Sequence, residues 1–133
     1  MELFISDLDG TLLNGNAEVT EFTRDTLNRL MAKGLNFTAA TARTLASAGK
    51  ILSELDLKLP VILMNGVLIY DMAEKKYVKI NSLSRELCGL IIGLSKGIGL
   101  EPFMYSVSDN QLSTRYETVS YTHLRAHETC ADL

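Results

Sequence analysis

The sequence predicts an α/β fold in which a Rossmann-like parallel sheet is covered by helices. Three short apolar runs are separated by two stretches with helical spacing, and this alternation is typical of parallel βαβ units. Each run ends in a polar turn: Leu3–Ile5 precedes Asp7, Leu35–Ala40 precedes Thr41, and Pro60–Met64 precedes Asn65. Because ligands bind beyond the carboxyl ends of strands in open α/β sheets, we expect these turns to meet at one site.

The first apolar run predicts a short buried strand, and it ends at a pair of acids. Asp7 and Asp9 are followed directly by Gly10 and Thr11, and glycine lets the backbone turn sharply toward a ligand. Two carboxylates at such a turn suit Mg²⁺, which takes one or two carboxylates, phosphate oxygens and several waters. With the cation between the two negative charges, Asp7 can attack phosphorus to form an aspartyl-phosphate. Asp9 can then exchange protons with the leaving group and with water.

Two other interpretations fit part of this stretch. An Asp-Gly pair marks many plain turns, but a plain turn does not explain the second acid or the preceding strand. The stretch also places acids and a threonine at several positions of a calcium loop. Leu12, however, stands where that loop requires glycine, and a strand replaces its incoming helix.

A helix is predicted after the polar connection that follows the acids. Thr20 can cap its start, and Gly34 stands where a helix commonly ends. Its apolar residues recur at helical spacing and are expected to cover the sheet: Phe22, Leu27, Leu30 and Met31.

The second strand leads into Thr41, Ala42 and Arg43, and then into another helix. Backbone N–H groups at a strand-to-helix junction favour an anion. Thr41 adds a hydroxyl, and Arg43 adds a fork of donors that matches phosphate oxygens. Taken alone, Thr41 fits a helix cap equally well; its position after the acid pair favours a phosphate ligand.

The third strand ends at Asn65-Gly66, which fits a hairpin turn as well as a substrate contact. Two further runs, Val67–Tyr70 and Tyr77–Ile80, predict a hairpin. A response-regulator receiver needs an aspartate at the end of this strand, where Met64 and Asn65 stand instead. That interpretation is therefore excluded.

The segment from Asp7 to Leu12, DLDGTL, resembles the first motif of the haloacid dehalogenase-like phosphatases, specifically the Cof-type hydrolases. The resemblance implies that Asp7 is the nucleophile and a Mg²⁺ ligand, and that Asp9 is the general acid/base and holds Mg²⁺ through its backbone carbonyl. Thr41 and Arg43 match the second motif, with Ala42 in place of its usual glycine. We therefore expect substrate or phosphate binding by Gly10, Thr11, Thr41, Ala42, Arg43 and Asn65.

The same resemblance divides the chain into three parts. Residues 1–82 correspond to the first half of the core, and residues 83–118 to the start of an inserted α/β cap. Residues 119–133 resemble a translated transposon-type sequencing adapter and are left out of the fold prediction. His123 and His127 in this tail have zinc-like spacing but no clear third ligand.

The expected function is Mg²⁺-dependent hydrolysis of a phosphate monoester, such as a sugar phosphate or a similar small metabolite. The alternatives are a phosphomutase of the same superfamily and a non-catalytic metal-binding module. The family also uses a later lysine and a Gly-Asp-x-x-Asn-Asp segment, and no Gly-Asp pair occurs here. We therefore expect an N-terminal fragment with little or no turnover.

Composition favours a cytoplasmic enzyme. The 133 residues are 47% hydrophobic and 22% charged, which is typical of globular proteins. The net charge of −3 gives no basis for nucleic-acid or acidic-membrane binding. No run is long enough for a membrane span, and Cys88 and Cys130 do not make a disulfide framework. The oligomeric state stays open.

Overall fold

The computed structural model describes residues 2–115. They form two compact units, which divide between Asn81 and Ser82. The tail at 119–133, with its two histidines, lies outside the described residues, as do residues 116–118 of the expected cap. The assignment of core, cap and tail stays a prediction. Within residues 2–115, no helix is both long and apolar enough to cross a membrane.

The first unit follows the predicted alternation of strands and helices. Its elements are β1 (Leu3–Ser6), α1 (Glu21–Ala32), β2 (Asn36–Ala39), α2 (Leu45–Leu52), β3 (Val61–Leu63), β4 (Leu68–Asp71) and β5 (Lys76–Ile80). Two tight turns follow strands: Leu8–Leu12 after β1 and Met64–Gly66 after β3.

The strands run parallel first and antiparallel afterwards. β1 and β2 pair in parallel, with Ser6 opposite Ala39. A parallel bridge between Ala40 and Ile62 connects the end of β2 with β3. β4 then pairs antiparallel with both β3 and β5. The α/β fold class with parallel strands is thus confirmed, and β4 and β5 form the predicted hairpin.

The first helix, α1, is capped as its sequence predicts, but its apolar face is only partly covered. The Thr23 N–H donates to the Thr20 hydroxyl at 3.2 Å. Gly34 has φ +100°, and its N–H donates to the Met31 carbonyl at 3.1 Å. Met31 is buried, whereas Phe22 is 80% exposed. The expectation that Phe22 covers the sheet is wrong, because it lies in the first turn and is left in solvent.

The core of the first unit is built from apolar side chains of the sheet, the two helices and the turn after β1. Its largest fully buried members are Leu8, Met31, Leu52, Val61, Leu63 and Leu68. Thr38 is also buried, and its hydroxyl donates to the Pro60 carbonyl at 2.7 Å, so this polar group has a partner.

The predicted burial of β1 is wrong. Leu3, Phe4 and Ile5 are 54%, 50% and 51% exposed. Among the described strands β1 pairs only with β2, so it forms an edge. By contrast, Phe37 and Ala39 in β2 are buried, because that strand is paired with β1 and bridged toward β3.

The second unit contains a helix followed by a hairpin. Its described elements are α3 (Arg85–Gly97), β6 (Met104–Ser108) and β7 (Gln111–Arg115). The Leu87 N–H donates to the Ser84 hydroxyl, which caps α3 at 3.2 Å. Asp109 and Asn110 turn the hairpin with φ of 50° and 60°, values that Asp and Asn tolerate better than most residues. β6 and β7 pair antiparallel, from Met104 opposite Arg115 to Ser108 opposite Gln111.

Candidate active site

The turns after β1, β2 and β3 surround one cavity of about 480 Å³. Its lining residues are Asp7, Asp9, Ala40, Thr41, Ala42, Ile62, Asn65 and Gly66. Five of these residues are among the predicted site residues, and they come from three separate strand ends. Ala40, Ile62 and Gly66 were not predicted, because nothing in an alanine, an isoleucine or a turn glycine indicates a ligand.

The acid turn after β1 is held by its own backbone and by one buried side chain. The Leu8 N–H donates to Asp7 Oδ1 at 2.7 Å, and the Leu13 N–H donates to the Leu8 carbonyl at 2.9 Å. Leu8 is fully buried, and in the sequence it stands between the two acids. Its burial fixes the segment that carries both carboxylates.

Gly10 and Thr11 serve the shape of this turn. Gly10 has φ +71°, a conformation that L side chains rarely adopt, and an added Cβ would meet nothing within 4 Å. The turn therefore requires glycine for its backbone angle and not for space. Thr11 is exposed. Neither Gly10 nor Thr11 is among the described residues that line the cavity. Their expected contact with the substrate therefore stays a prediction.

Arg43 is paired with Asp9. Its Nε donates to Asp9 Oδ2 at 2.8 Å, and its Nη2 donates to Asp9 Oδ1 at 2.6 Å. This is a two-point, charge-assisted contact, the strongest geometry between these side chains. The hydrogen bond to Asp9 raises the pKa of Arg43; partial burial opposes the increase, and the negative charge of Asp9 adds to it. The guanidinium of Arg43, which was expected to bind phosphate, is thus bonded to the carboxylate of Asp9.

Thr41 lines the cavity and is 5% exposed. Its N–H donates to the Ile62 carbonyl at 2.9 Å, and its hydroxyl oxygen accepts from the Arg43 N–H at 3.1 Å. The helix α2 is preceded by Thr44 at its cap position. Thr41 is therefore not the cap of α2, and its hydroxyl proton can be directed toward a ligand.

The turns after β2 and β3 are tied together by their main chains. The Met64 N–H donates to the Arg43 carbonyl at 3.2 Å, and the Asn65 N–H donates to the Thr41 carbonyl at 3.1 Å. Met64, Asn65 and Gly66 all have positive φ, at 50°, 54° and 91°. For Met64 and Asn65, which are not glycines, such angles are strained; strain of this kind persists only where surrounding contacts enforce it, and it clusters at functional sites. Asn65 thus belongs to a hairpin turn and also lines the cavity.

The oxygen donors at this site fit a magnesium ion. Asp7 offers a carboxylate beside an open cavity. Both carboxylate oxygens of Asp9 accept from Arg43, so the atom of Asp9 that would hold the ion is its backbone carbonyl oxygen, as the resemblance implies. Carboxylate, carbonyl and water oxygens all suit Mg²⁺, which keeps several of its waters. Across residues 2–115 there is no cluster of three or more His, Cys, Asp or Glu side chains placed to hold a metal. These residues therefore form no all-protein metal cage of such side chains, and the ion would depend on water and on phosphate oxygens of the substrate.

The chain is similar to known hydrolases and phosphatases. A family model described as haloacid dehalogenase-like hydrolase matches residues 4–130. A Buchnera aphidicola protein, named as a proposed phosphatase, is 41% identical over 70 residues, which cover 53% of this chain and 26% of that protein. A 5-amino-6-(5-phospho-D-ribitylamino)uracil phosphatase of Bacillus subtilis is 34% identical over 71 residues, which cover 53% of this chain and 24% of that protein.

The fold itself also matches solved structures. The crystal structure of a Thermotoga maritima protein aligns with a TM-score of 0.65 at 26% identity, covering 84% of this chain and 41% of that one. The matches to the two curated relatives span about a quarter of their lengths, 26% and 24%.

Proposed function

The chain belongs to the haloacid dehalogenase-like hydrolase family, and on that premise we propose that its site serves a Mg²⁺-dependent phosphate monoester hydrolase of the Cof type. The observation that supports this proposal is the shared cavity: Asp7, Asp9, Thr41 and Asn65 line one space, although they come from three strand ends. A cytoplasmic location and a small phosphate ester as partner belong to the same proposal.

The proposed reaction has two displacement steps. The Asp7 carboxylate attacks phosphorus, the bond from phosphorus to the leaving alkoxide breaks, and the alkoxide takes the proton of Asp9. Water then attacks the same phosphorus, gives its proton to Asp9 and releases Asp7 with free phosphate. Thr41 donates its hydroxyl to a phosphate oxygen. When Mg²⁺ is bound, it offsets the charge between the carboxylates and the phosphate.

The proposed substrate class is a sugar phosphate or a similar polyhydroxy metabolite. The Bacillus subtilis relative is named for a phosphate ester of a ribityl group, which is a chain of hydroxyl-bearing carbons. A cavity of about 480 Å³ is in the range of small-molecule sites. The polar turns at its edge match an ester with a charged head and a hydroxyl-rich body.

Calorimetry with beryllium fluoride, which mimics a phosphoryl group on a carboxylate, tests the proposed nucleophile. In the presence of Mg²⁺ we expect the chain to bind the fluoride complex and the Asp7→Asn variant to lose that binding. Asp56→Asn is the matched control, because Asp56 is exposed and does not line the cavity. Equal binding by both variants, or none by the unsubstituted chain, would refute Asp7 as the nucleophile. Mg²⁺ binding alone would favour a metal-binding module.

A phosphate-release assay on a panel of sugar phosphates tests turnover. We propose that these 133 residues turn over slowly or not at all, because they contain no Gly-Asp pair for the expected second acidic segment. Steady hydrolysis that is lost in Asp7→Asn would overturn the expected inactivity and would support the phosphatase assignment.

A further inference from the structure

We infer that Arg43 is a positioning residue, which holds the carboxylate of Asp9, and that it does not bind the phosphate of the substrate. This inference rests on the proposed function, because it assigns a role within that site. It reverses the expectation from the sequence, in which the guanidinium forks onto phosphate oxygens.

The geometry of the Arg43–Asp9 pair supports this role. Both carboxylate oxygens of Asp9 accept from Arg43, at 2.8 and 2.6 Å. A two-point contact fixes the plane of the carboxylate as well as its position. Each oxygen keeps a further lone pair, so Asp9 can still exchange a proton while it is held.

Arg43 is itself held in place by the turns after β2 and β3. The main-chain N–H of Arg43 donates to the Thr41 hydroxyl, and its main-chain carbonyl accepts from the Met64 N–H. Its side chain is 19% exposed, against 54% for the side chain of Asp9. The more covered and better anchored partner is the arginine, so it restrains the acid and not the reverse.

The two members of the pair differ in their position relative to the cavity. Asp9 lines the cavity, whereas Arg43 is not among the described residues that line it. Asp7 and Thr41, by contrast, both line this space. To reach the phosphate, Arg43 would have to release both bonds to Asp9.

Nitrogen-15 NMR of the Arg43 Nε–H group tests the pairing without requiring turnover. The signal is assigned by its disappearance in Arg43→Lys. We expect Asp9→Asn to shift the signal and Asp7→Asn to leave it in place, since Asp7 has no hydrogen bond to Arg43 among the described contacts. Titration with inorganic phosphate and Mg²⁺ should leave it unmoved. A signal that ignores Asp9→Asn, or that moves with phosphate, would overturn the inference.

Phosphate affinity gives a second, independent measurement. Arg43→Gln should change the dissociation constant for inorganic phosphate by less than about threefold, because a positioning residue makes no bond to the ligand. Loss of a charge-assisted ligand bond would instead weaken binding by about tenfold or more, and that result would refute the inference. If phosphate shifts none of the amide signals of residues 41–43, the proposed function fails, while the Asp9→Asn comparison still decides the role of Arg43.

Discussion

Replacement of Leu8 by alanine is the sharpest test of how the acid turn is held. Leu8 is 0% exposed and stands between the two acids in the chain. Leu→Ala changes at fully buried sites cost about 2.7–5 kcal/mol, since they lose transfer free energy and leave a cavity. We expect the first unit to lose about 3 kcal/mol of its free energy of unfolding. A unit of about 80 residues, at ~0.05–0.15 kcal/mol per residue, has about 4–12 kcal/mol in total.

Amide hydrogen exchange measures this loss within the first unit alone. The Ala40 and Thr41 N–H groups report on the sheet, because they donate to the Ser6 and Ile62 carbonyls at 2.8 and 2.9 Å. Since about 1.4 kcal/mol corresponds to a factor of ten, we expect their protection to fall about 100-fold. If the alanine variant does not fold, Leu8→Val, which removes one carbon, should cost about 1 kcal/mol and remain measurable.

Leu3→Ala is the matched control for this experiment. Leu3 undergoes the same chemical change but is 54% exposed, so we expect a loss of about 1 kcal/mol or less. Protection that falls no further in Leu8→Ala than in Leu3→Ala would refute the argument that burial of Leu8 fixes the acid turn.

Three further measurements test other contacts. Thr38→Val removes the hydroxyl that donates to the Pro60 carbonyl and should cost about 1 kcal/mol in urea unfolding, whereas Thr38→Ser should retain most of it; equal stability of the two variants would contradict this role. Burial, and then the charge of Tyr70, raises the pKa of Tyr77 above its usual value of about 10. Tyr77 therefore ionises at lower pH in the unfolded state than in the folded state. Its contribution to the free energy of unfolding is fully present below about pH 10 and is lost as the pH rises through the pKa of the folded state. Tyr77→Phe should reduce this loss of stability with pH, and an unchanged slope would refute the role of Tyr77. Thr20→Ala should weaken α1 by about 1 kcal/mol in amide exchange, while Thr20→Ser should not; identical exchange in both would show that the cap is unimportant.

The convergence of the site could be predicted because it follows from the direction of the strands. Parallel strands place their carboxyl ends at one edge, so Asp7, Thr41 and Asn65 had to lie near one another once the three strands were identified. The helix start at Thr20 was predictable for a similar reason, since a cap depends only on residues nearby in sequence. These features need the local pattern and one topological rule.

Other features depend on contacts that a sequence does not display. Arg43 and Asp9 are 34 residues apart, and both side chains have enough freedom to choose other partners. Leu3, Phe4 and Ile5 of β1 have apolar side chains like those of any buried strand, but burial is decided by neighbours and not by composition. Met64 takes a left-handed backbone although methionine has no preference for it, because the bonds to the turn after β2 impose that geometry.

The open edge of β1 has a consequence for work with the protein in solution. Among residues 2–115, β1 pairs with another strand along one side only, and its Leu3, Phe4 and Ile5 side chains are half-exposed, so it can act as a template for another strand. Purified samples should therefore self-associate increasingly as they are concentrated, and light scattering should rise before the folded signal is lost. Phe4→Lys would place a charge on this edge and should raise the solubility limit, and Phe4 does not line the cavity. The variant should therefore stay monomeric at the concentrations that NMR needs.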